Sequence, residues 1–262
     1  MLSNKPINPI VRKLKYLAQF WPIIKGVSNW YQVPLLLFLP LKKVTLKLKT
    51  GERFKITHYL DALTIKEIYL DKDYKINTKA KDIIIDIGAN IGTYSILQAR
   101  NNPKATVFSF EPAPKTFQLL KENIRLNKVS NIKTFKLGVA KSEGTRVFYS
   151  HKASGLSSLS QKRQGMTKNR IKTTTLVNIF KSNKLKYCDV LKMDCEGAEY
   201  EVLFNTQTRL FSKINSLVIE YHDSLTDYTH KELKDFLKQK GYQVKLIPHN
   251  LETDIGILFA TK

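Results

Sequence analysis

The stretch from Ile83 to Gly92, Ile-Ile-Ile-Asp-Ile-Gly-Ala-Asn-Ile-Gly, limits what this chain can fold into more than any other. Ile83, Ile84, Ile85 and Ile87 are β-branched and apolar with one polar break, which suits a strand buried on both faces in the centre of a parallel sheet. Asp86 is a carboxylate inside that run, costly unless something polar approaches it. Gly88 and Gly92 bracket a turn, and Thr93-Tyr94-Ser95-Ile96-Leu97 begins a helix. Strand, glycine turn and helix bring backbone close to a nucleoside ligand. A dinucleotide asks for glycine at the first, third and sixth positions. Counted from Gly88, the third is Asn90 and the sixth Thr93, so that pattern fails twice.

The rest of the chain repeats the same unit. Strands are expected at Ala105–Phe110, Ile132–Val139, Arg170–Thr175, Val190–Met193, Leu217–Ile219, Val244–Ile247 and Ile255–Phe259. Helices are expected at Pro114–Asn127, with Phe117, Leu120, Ile124 and Leu126 on the apolar side, at Glu199–Phe204, and at His230–Lys240 ended by Gly241. Repeating βα units with short loops give an α/β fold with a doubly wound, mostly parallel sheet, which binds ligands at the carboxyl ends of its strands. Those ends carry Asp86, Glu111, Asp194 and Glu220. Glu111 closes the strand after Asp86, where an acid can accept two hydrogen bonds from a ribose diol. Asp194-Cys195-Glu196-Gly197-Ala198-Glu199 places three acids within six residues, which calls for chemistry, a cation or a helix cap. Glu199 suits the first helical turn; Asp194 and Glu196 are less easily explained that way.

Ahead of this core, Val44–Ile56 alternates around Thr50-Gly51-Glu52 as a β-hairpin, and Thr64–Leu70 reads as a short helix. Residues 1–42 form a basic leader: the first 50 residues hold nine Lys or Arg and no acid. Val11, Leu14, Tyr16, Leu17, Phe20 and Trp21 recur at mostly helical spacing, either as a cap packed on the domain or as an amphipathic helix on a membrane surface. The apolar piece Pro34–Pro40 is too short to span a bilayer. The division expected is 1–80 as an N-terminal extension and 81–262 as the catalytic domain. The net charge of +22 favours acidic partners, although solvated lysines alone also account for it. Gly144–Cys188 has ten Lys or Arg and no acid; Ser154–Ser158 and Gln161–Gly165 read as loop ahead of the Arg170–Thr175 strand, and the segment is expected either to overhang the site and favour an anionic acceptor or to be a solvated loop. Two cysteines, Cys188 and Cys195, fit a reducing compartment and a cytoplasmic location, with peripheral membrane contact through the leader as the added expectation.

Taken together, Asp-Ile-Gly-Ala-Asn-Ile-Gly at 86–92, Phe-Glu-Pro at 110–112, Leu-Lys-Met-Asp-Cys-Glu-Gly-Ala-Glu at 191–199 and Val-Ile-Glu-Tyr-His at 218–222 resemble the FkbM family of S-adenosylmethionine-dependent methyltransferases. Ile68–Tyr74 ahead of them is also similar, and the resemblance runs from about residue 43 to the end. The chain departs from the family after Thr175-Leu176, where an Asp is often found and Val177-Asn178 stands here. The resemblance implies a Rossmann-like class I fold with seven strands. It also implies methyl transfer from S-adenosylmethionine to a hydroxyl of a small molecule or glycan. Cofactor contacts are expected from Asp86, Gly88, Ala89, Asn90, Gly92 and Glu111, with the two glycines making room for the methionine moiety. A hydroxyl acceptor needs a base, for which Asp194 and His222 are the candidates. Glu196 and Glu220 are expected to orient the acceptor, with a divalent ion as the alternative and no metal assigned. An RNA ribose methyltransferase and a non-catalytic, membrane-associated binding protein are the competing readings.

Overall fold

The computed structural model describes residues 20–38, 43–76, 78, 81–150, 167–249 and 253–262. Its frame is a seven-stranded sheet of β3 (Ile83–Ile87), β4 (Thr106–Phe110), β5 (Ile132–Phe135), β9 (Cys188–Met193), β10 (Ile214–His222), β11 (Gln243–Pro248) and β12 (Ile255–Thr261). The order across it is β11-β12-β10-β9-β3-β4-β5, parallel except for β12, which is antiparallel to both neighbours. This is the doubly wound, mostly parallel seven-stranded architecture expected. β3 lies at its centre, and Ile84, Ile85, Asp86 and Ile87 are all buried.

Alternation along the strands decides what reaches the site. Ile85 and Ile87 of β3, Leu191 and Met193 of β9, and Leu217, Ile219 and Tyr221 of β10 pack into one core cluster, with α6 (Leu176–Ser182), α7 (Ala198–Phe204), α8 (Thr208–Phe211) and α9 (His230–Gln239). The intervening residues face the other side, where Ile84, Val190 and Val218 share a second cluster with Tyr94 of α4 (Thr93–Asn101). Asp86, Lys192, Glu220 and His222 have that second parity, so all four stand on one face of the sheet.

The extension packs onto that same side. α1 (Phe20–Gly26) and α2 (Gln32–Phe38) bury Ile23, Val27 and Val33 against Ile91, Ile96 and Leu119. This part of the leader is therefore a helical cap, and the piece at Pro34 is helical; residues 1–19, where Val11–Leu17 were read as amphipathic, lie outside the described residues. The hairpin β1 (Val44–Lys47) and β2 (Arg53–Ile56) is fastened to α5 (Pro114–Leu126) by asparagines. Asn123 accepts from the Lys55 amide at 2.7 Å and Asn127 from the Arg53 amide at 3.0 Å, and both donate back to the same residues' carbonyls. Asn123 is fully buried, so the buried stripe of α5 is Leu119, Leu120 and Asn123 rather than Phe117, Ile124 and Leu126, which are half-buried.

Other elements also differ from the sequence reading. The helix expected at Thr64–Leu70 starts earlier, as α3 (Tyr59–Ile65), and passes into a π-helical turn at Lys66–Asp71. The strand expected over Ile132–Val139 splits, because β6 (Gly138–Val139) leaves the main sheet to pair with β8 (Thr167–Thr174). β8 pairs in turn with β7 (Gly144–Ser150), a strand absent from the sequence reading and centred on Val147-Phe148-Tyr149. The overhang is therefore a small three-stranded sheet, and residues 151–166 lie outside the described residues. α6 is capped by Thr175, whose hydroxyl accepts the Asn178 amide, so the helix start does without the family's Asp.

Candidate active site

The carboxyl ends of β3, β4, β9 and β10 open into one cleft of about 290 Å³, roofed by Leu60, Leu63 and Glu67 of α3 and its π-turn and by Phe148 of β7. Gly88, Ala89, Asn90, Glu111, Asp194, Glu196, Glu220 and His222 all line it. Asp86 and Gly92 do not. Gly92 starts α4 at φ 93°, and a Cβ there would meet Leu120 at 2.6 Å, so its space is filled by α5. A Cβ on Gly88 would sit 1.7 Å from the Asp194 carbonyl oxygen at φ 74°. Both glycines were expected to make room for a methionine moiety. Instead they let protein pack on the turn, and Gly88 lets the strand ends of β3 and β9 meet.

Asp86 stands behind the cleft wall. Its Oδ2 accepts from Ser95 Oγ at 2.5 Å, and Ser95 Oγ lies 2.7 Å from Ser109 Oγ. Across the other strand boundary, Asp86 and Lys192 are register partners, and Lys192 Nζ lies 3.3 Å from Asp86 Oδ1. The same ammonium donates to the Gly88 carbonyl at 3.0 Å and reaches Asp194 Oδ2 at 3.5 Å. Burial opposes charge on Lys192, but Asp86, Asp194 and Glu220 outweigh it and hold its pKa above the ordinary value. Lys192 was not read as a site residue from sequence, although a lysine inside Val-Leu-Lys-Met is the signal that finds it. Asp86 thus shapes the cleft through Lys192.

At the β3–β4 end the turn satisfies itself. The Gly88 and Ala89 amides both donate to the Phe110 carbonyl at 3.0 Å, and the Gly92 amide donates to Ala89 at 2.8 Å. Glu111 accepts the Asn90 amide at 3.0 Å and the Ala113 amide at 2.8 Å. Burial nevertheless pushes its carboxyl up to about 7. Asn90 adopts φ 51°, a conformation asparagine tolerates, and its buried Oδ1 has no hydrogen-bond partner.

At the β9–β10 end the acids crowd. Glu199 is wholly buried and accepts the Cys195 amide at 2.6 Å and the Gly197 amide at 2.9 Å. The turn from 195 to 197 is therefore folded around its carboxylate, and presents Asp194 and Glu196 to the cleft. Glu196 sits at φ 52°, an uncommon conformation for its type. Glu199 Oε1 also lies 3.4 Å from His222 Nδ1. Burial opposes both charges, yet their pairing prevails: the Glu199 carboxyl is lowered and the His222 imidazole is raised well above its usual value. The Glu199 carboxylate therefore favours the protonated form of His222. The remaining acids are raised, first by burial and then by one another: Glu220 to about 7, Glu67 to about 8 and Glu196 to about 8. Tyr74 donates its hydroxyl to Glu220. Glu67 and Tyr74, absent from the sequence-level assignment, come from the π-turn and the segment after it. Asp194, Glu220 and His222 bring ligand atoms within 4.8 Å of one another, a set able to hold a divalent cation.

A model of the methyltransferase FkbM domain matches residues 86–244, which includes every strand end described above. The chain belongs to the FkbM methyltransferase family. Among its relatives, Methyltransferase 1 of Beauveria bassiana is 26% identical over 200 residues, covering 68% of this chain and 80% of that protein. The hexuronic acid methyltransferase AglP of Haloferax volcanii is 28% identical over 177 residues, covering 67% and 70%. The 31-O-demethyl-FK506 methyltransferase FkbM of Streptomyces tacrolimicus is 24% identical over 212 residues, covering 68% and 80%. The methyltransferase FkbM structure from Methylobacillus flagellatus KT shares the fold, with a TM-score of 0.51 and 19% identity over 75% of this chain; the present chain spans 47% of it. The FkbM-family match takes in the small β6–β8 sheet together with β4, β5, β9 and β10 of the main one, and leaves β12 outside.

Proposed function

We propose that this FkbM-family methyltransferase moves a methyl group from S-adenosylmethionine to a hydroxyl of a small molecule or glycan. The observation that carries the reading is the sign of the cleft: Glu67, Glu111, Asp194, Glu196 and Glu220 line it, in a chain whose net charge is +22. Lys192 and His222 share that wall, and four of its acids are raised to about 7 or 8, so it answers a sulfonium and an ammonium by releasing protons and gives a pyrophosphate no comparable gain. The turn amides that would cradle a pyrophosphate are already engaged by Phe110, Ala89 and Glu111.

Glu111 has lone pairs left on both oxygens for a ribose diol, and the free Asn90 Oδ1 accepts from a donor on the same ligand. Bound S-adenosylmethionine supplies an electrophilic methyl carbon. The chain has then to align the acceptor oxygen, exclude water and take one proton. His222, whose protonated form Glu199 favours, is less suited to receive that proton. Asp194 and Glu220 are better placed: they are neighbouring carboxylates, and burial with the Asp194 charge beside it pushes Glu220 up to about 7. His222 then serves as their counter-charge and Glu196 as an orienting group. Residues 81–262 act as the methyltransferase domain, and the extension 1–80 contributes the roof through Leu60, Leu63 and Glu67.

Lys168, Arg170 and Lys172 are exposed, on the face of β8 opposite buried Ile171, while Phe148 and Ile171 face Ala113 beside the cleft. These basic side chains turn away from the cleft and none lines it, so an anionic group on the acceptor, such as a uronate, would lie clear of the acid wall without being held by them. The hexuronic acid relative and the net charge support an acceptor of that kind. The test is methyl transfer from labelled S-adenosylmethionine into glycan, lipid and RNA fractions of a cell extract, repeated with Asp194→Asn. Label in the glycan or small-molecule fraction that the variant abolishes is the expected result; label confined to RNA, or full activity in the variant, overturns the proposal.

A further inference from the structure

Both tryptophans of the chain, Trp21 and Trp30, are exposed and lie within ten residues of each other. With Tyr31 and Leu35 they make four of the seven large apolar side chains exposed among the described residues. The grouping follows from how the cap is held. The buried Ile23 of α1 and Val27 just after it turn toward the domain, which leaves Trp21 and Lys25 facing out; Lys25 Nζ sits 5.0 Å from the Trp21 ring centroid. In α2 the buried residue is Val33, so Tyr31 and Leu35, four apart, share the opposite side. Trp30 stands in the turn between them. Both inner faces pack on the same cluster, so both outer faces point away from the protein.

We infer that this outer face docks on an anionic phospholipid surface. Interfacial docking needs amphipathic aromatic rings at headgroup depth and positive charge with no opposing acid around them. The rings are Trp21, Trp30 and Tyr31, with Leu35 beside them. Lys25 puts a charge on this face, and by sequence the first 50 residues hold nine Lys or Arg and no Asp or Glu. A nucleic acid would match the charge, but it leaves Leu35 and the outward ring faces without a reason to be exposed together. No helix among the described residues is long and apolar enough to cross a membrane, so the contact is peripheral. α1 packs on the π-turn and α2 on α3, the elements that roof the cleft, so the docked face and the site share one structural unit.

The two tryptophans make the test direct, because intrinsic emission reports on this face alone. The full chain is titrated with vesicles of phosphatidylcholine and with vesicles of phosphatidylcholine mixed with phosphatidylglycerol. Expected are a blue shift and partitioning at least about tenfold tighter on the anionic vesicles, both weakened by salt, since each basic group near such a surface strengthens binding about fivefold. A brominated phosphatidylcholine in the mixture quenches the emission. The triple variant Trp21→Ser, Tyr31→Ser, Leu35→Ser loses about tenfold in partitioning while its affinity for S-adenosylmethionine stays unchanged. Equal partitioning on neutral and anionic vesicles, an absence of quenching in the wild-type chain, or undiminished binding by the variant overturns the inference. So does a dimer, detected by light scattering without vesicles, that the variant dissociates. Should the variant fail to fold, quenching in the wild-type chain decides alone.

Discussion

At the ends of β3 and β4 the polar groups are satisfied by the chain itself, the turn amides by Phe110 and Ala89 and the Glu111 carboxylate by two backbone amides. At the ends of β9 and β10, by contrast, Asp194, Glu196, Glu220 and Glu67 are brought together with fewer cations than acids. One end is pre-organised and presents a few spare acceptors. The other holds carboxylates against their preference, and a proton or a cation relieves it. A site that must grip one ligand firmly and take a proton from another needs both kinds of end. Lys192 belongs to both, since it touches Asp86 and Gly88 on one side and Asp194 on the other.

The largest effect should come from removing that shared cation. Lys192→Met leaves Asp86 buried and unpaired, and should lower stability by about 3–5 kcal/mol in denaturant unfolding, with both cofactor binding and transfer lost. A variant of near wild-type stability would mean that the two ends are independent. Asp194→Asn should cut methyl transfer by about a hundred- to ten-thousand-fold while calorimetric cofactor affinity stays within a few-fold, which separates the acceptor end from the cofactor end. Glu111→Gln should do the reverse, weakening the cofactor about ten- to a hundred-fold with little change in rate at saturation.

The smallest effect is on pH. Glu67 and Glu196 are held up to about 8, and Glu111 and Glu220 to about 7, against 4.5 for an unperturbed glutamate. Across that window the folded chain keeps protons that the unfolded chain has released. Stability should therefore be highest at the acid end of the window and fall as pH rises toward 8. Thermal midpoints measured across it check the sign, and Glu196→Gln should flatten the slope. A midpoint that rises with pH would mean that the acids are not crowded.

The self-satisfied end was largely legible in the sequence because its logic is local. A run of isoleucines, a glycine turn and an acid one strand later lie within thirty residues, and each follows from a short-range rule. The crowded end was legible in its acids and not in its wiring. Lys192 reaches Asp86 only through the register of β9 on β3, more than a hundred residues away in sequence. The reason for Gly88, the Asp194 carbonyl against its Cα, depends on the same register. Glu67 and Tyr74 enter from a segment ahead of the domain, and a π-turn has no compositional mark. Asn123 and Asn127 read as surface residues of a helix until β2 is seen to hydrogen-bond with them as it would with a strand. β7 was missed because Val147-Phe148-Tyr149 is a three-residue run inside a basic stretch, and its pairing with β8 is visible only in the register.

Calorimetric titration of the wild-type chain with S-adenosylmethionine, and separately with NAD, tests the sign of the cleft most directly. The acid wall and the engaged turn amides predict saturable binding of S-adenosylmethionine and no heat from NAD. Binding of NAD, or no binding of S-adenosylmethionine by a folded protein, would contradict them.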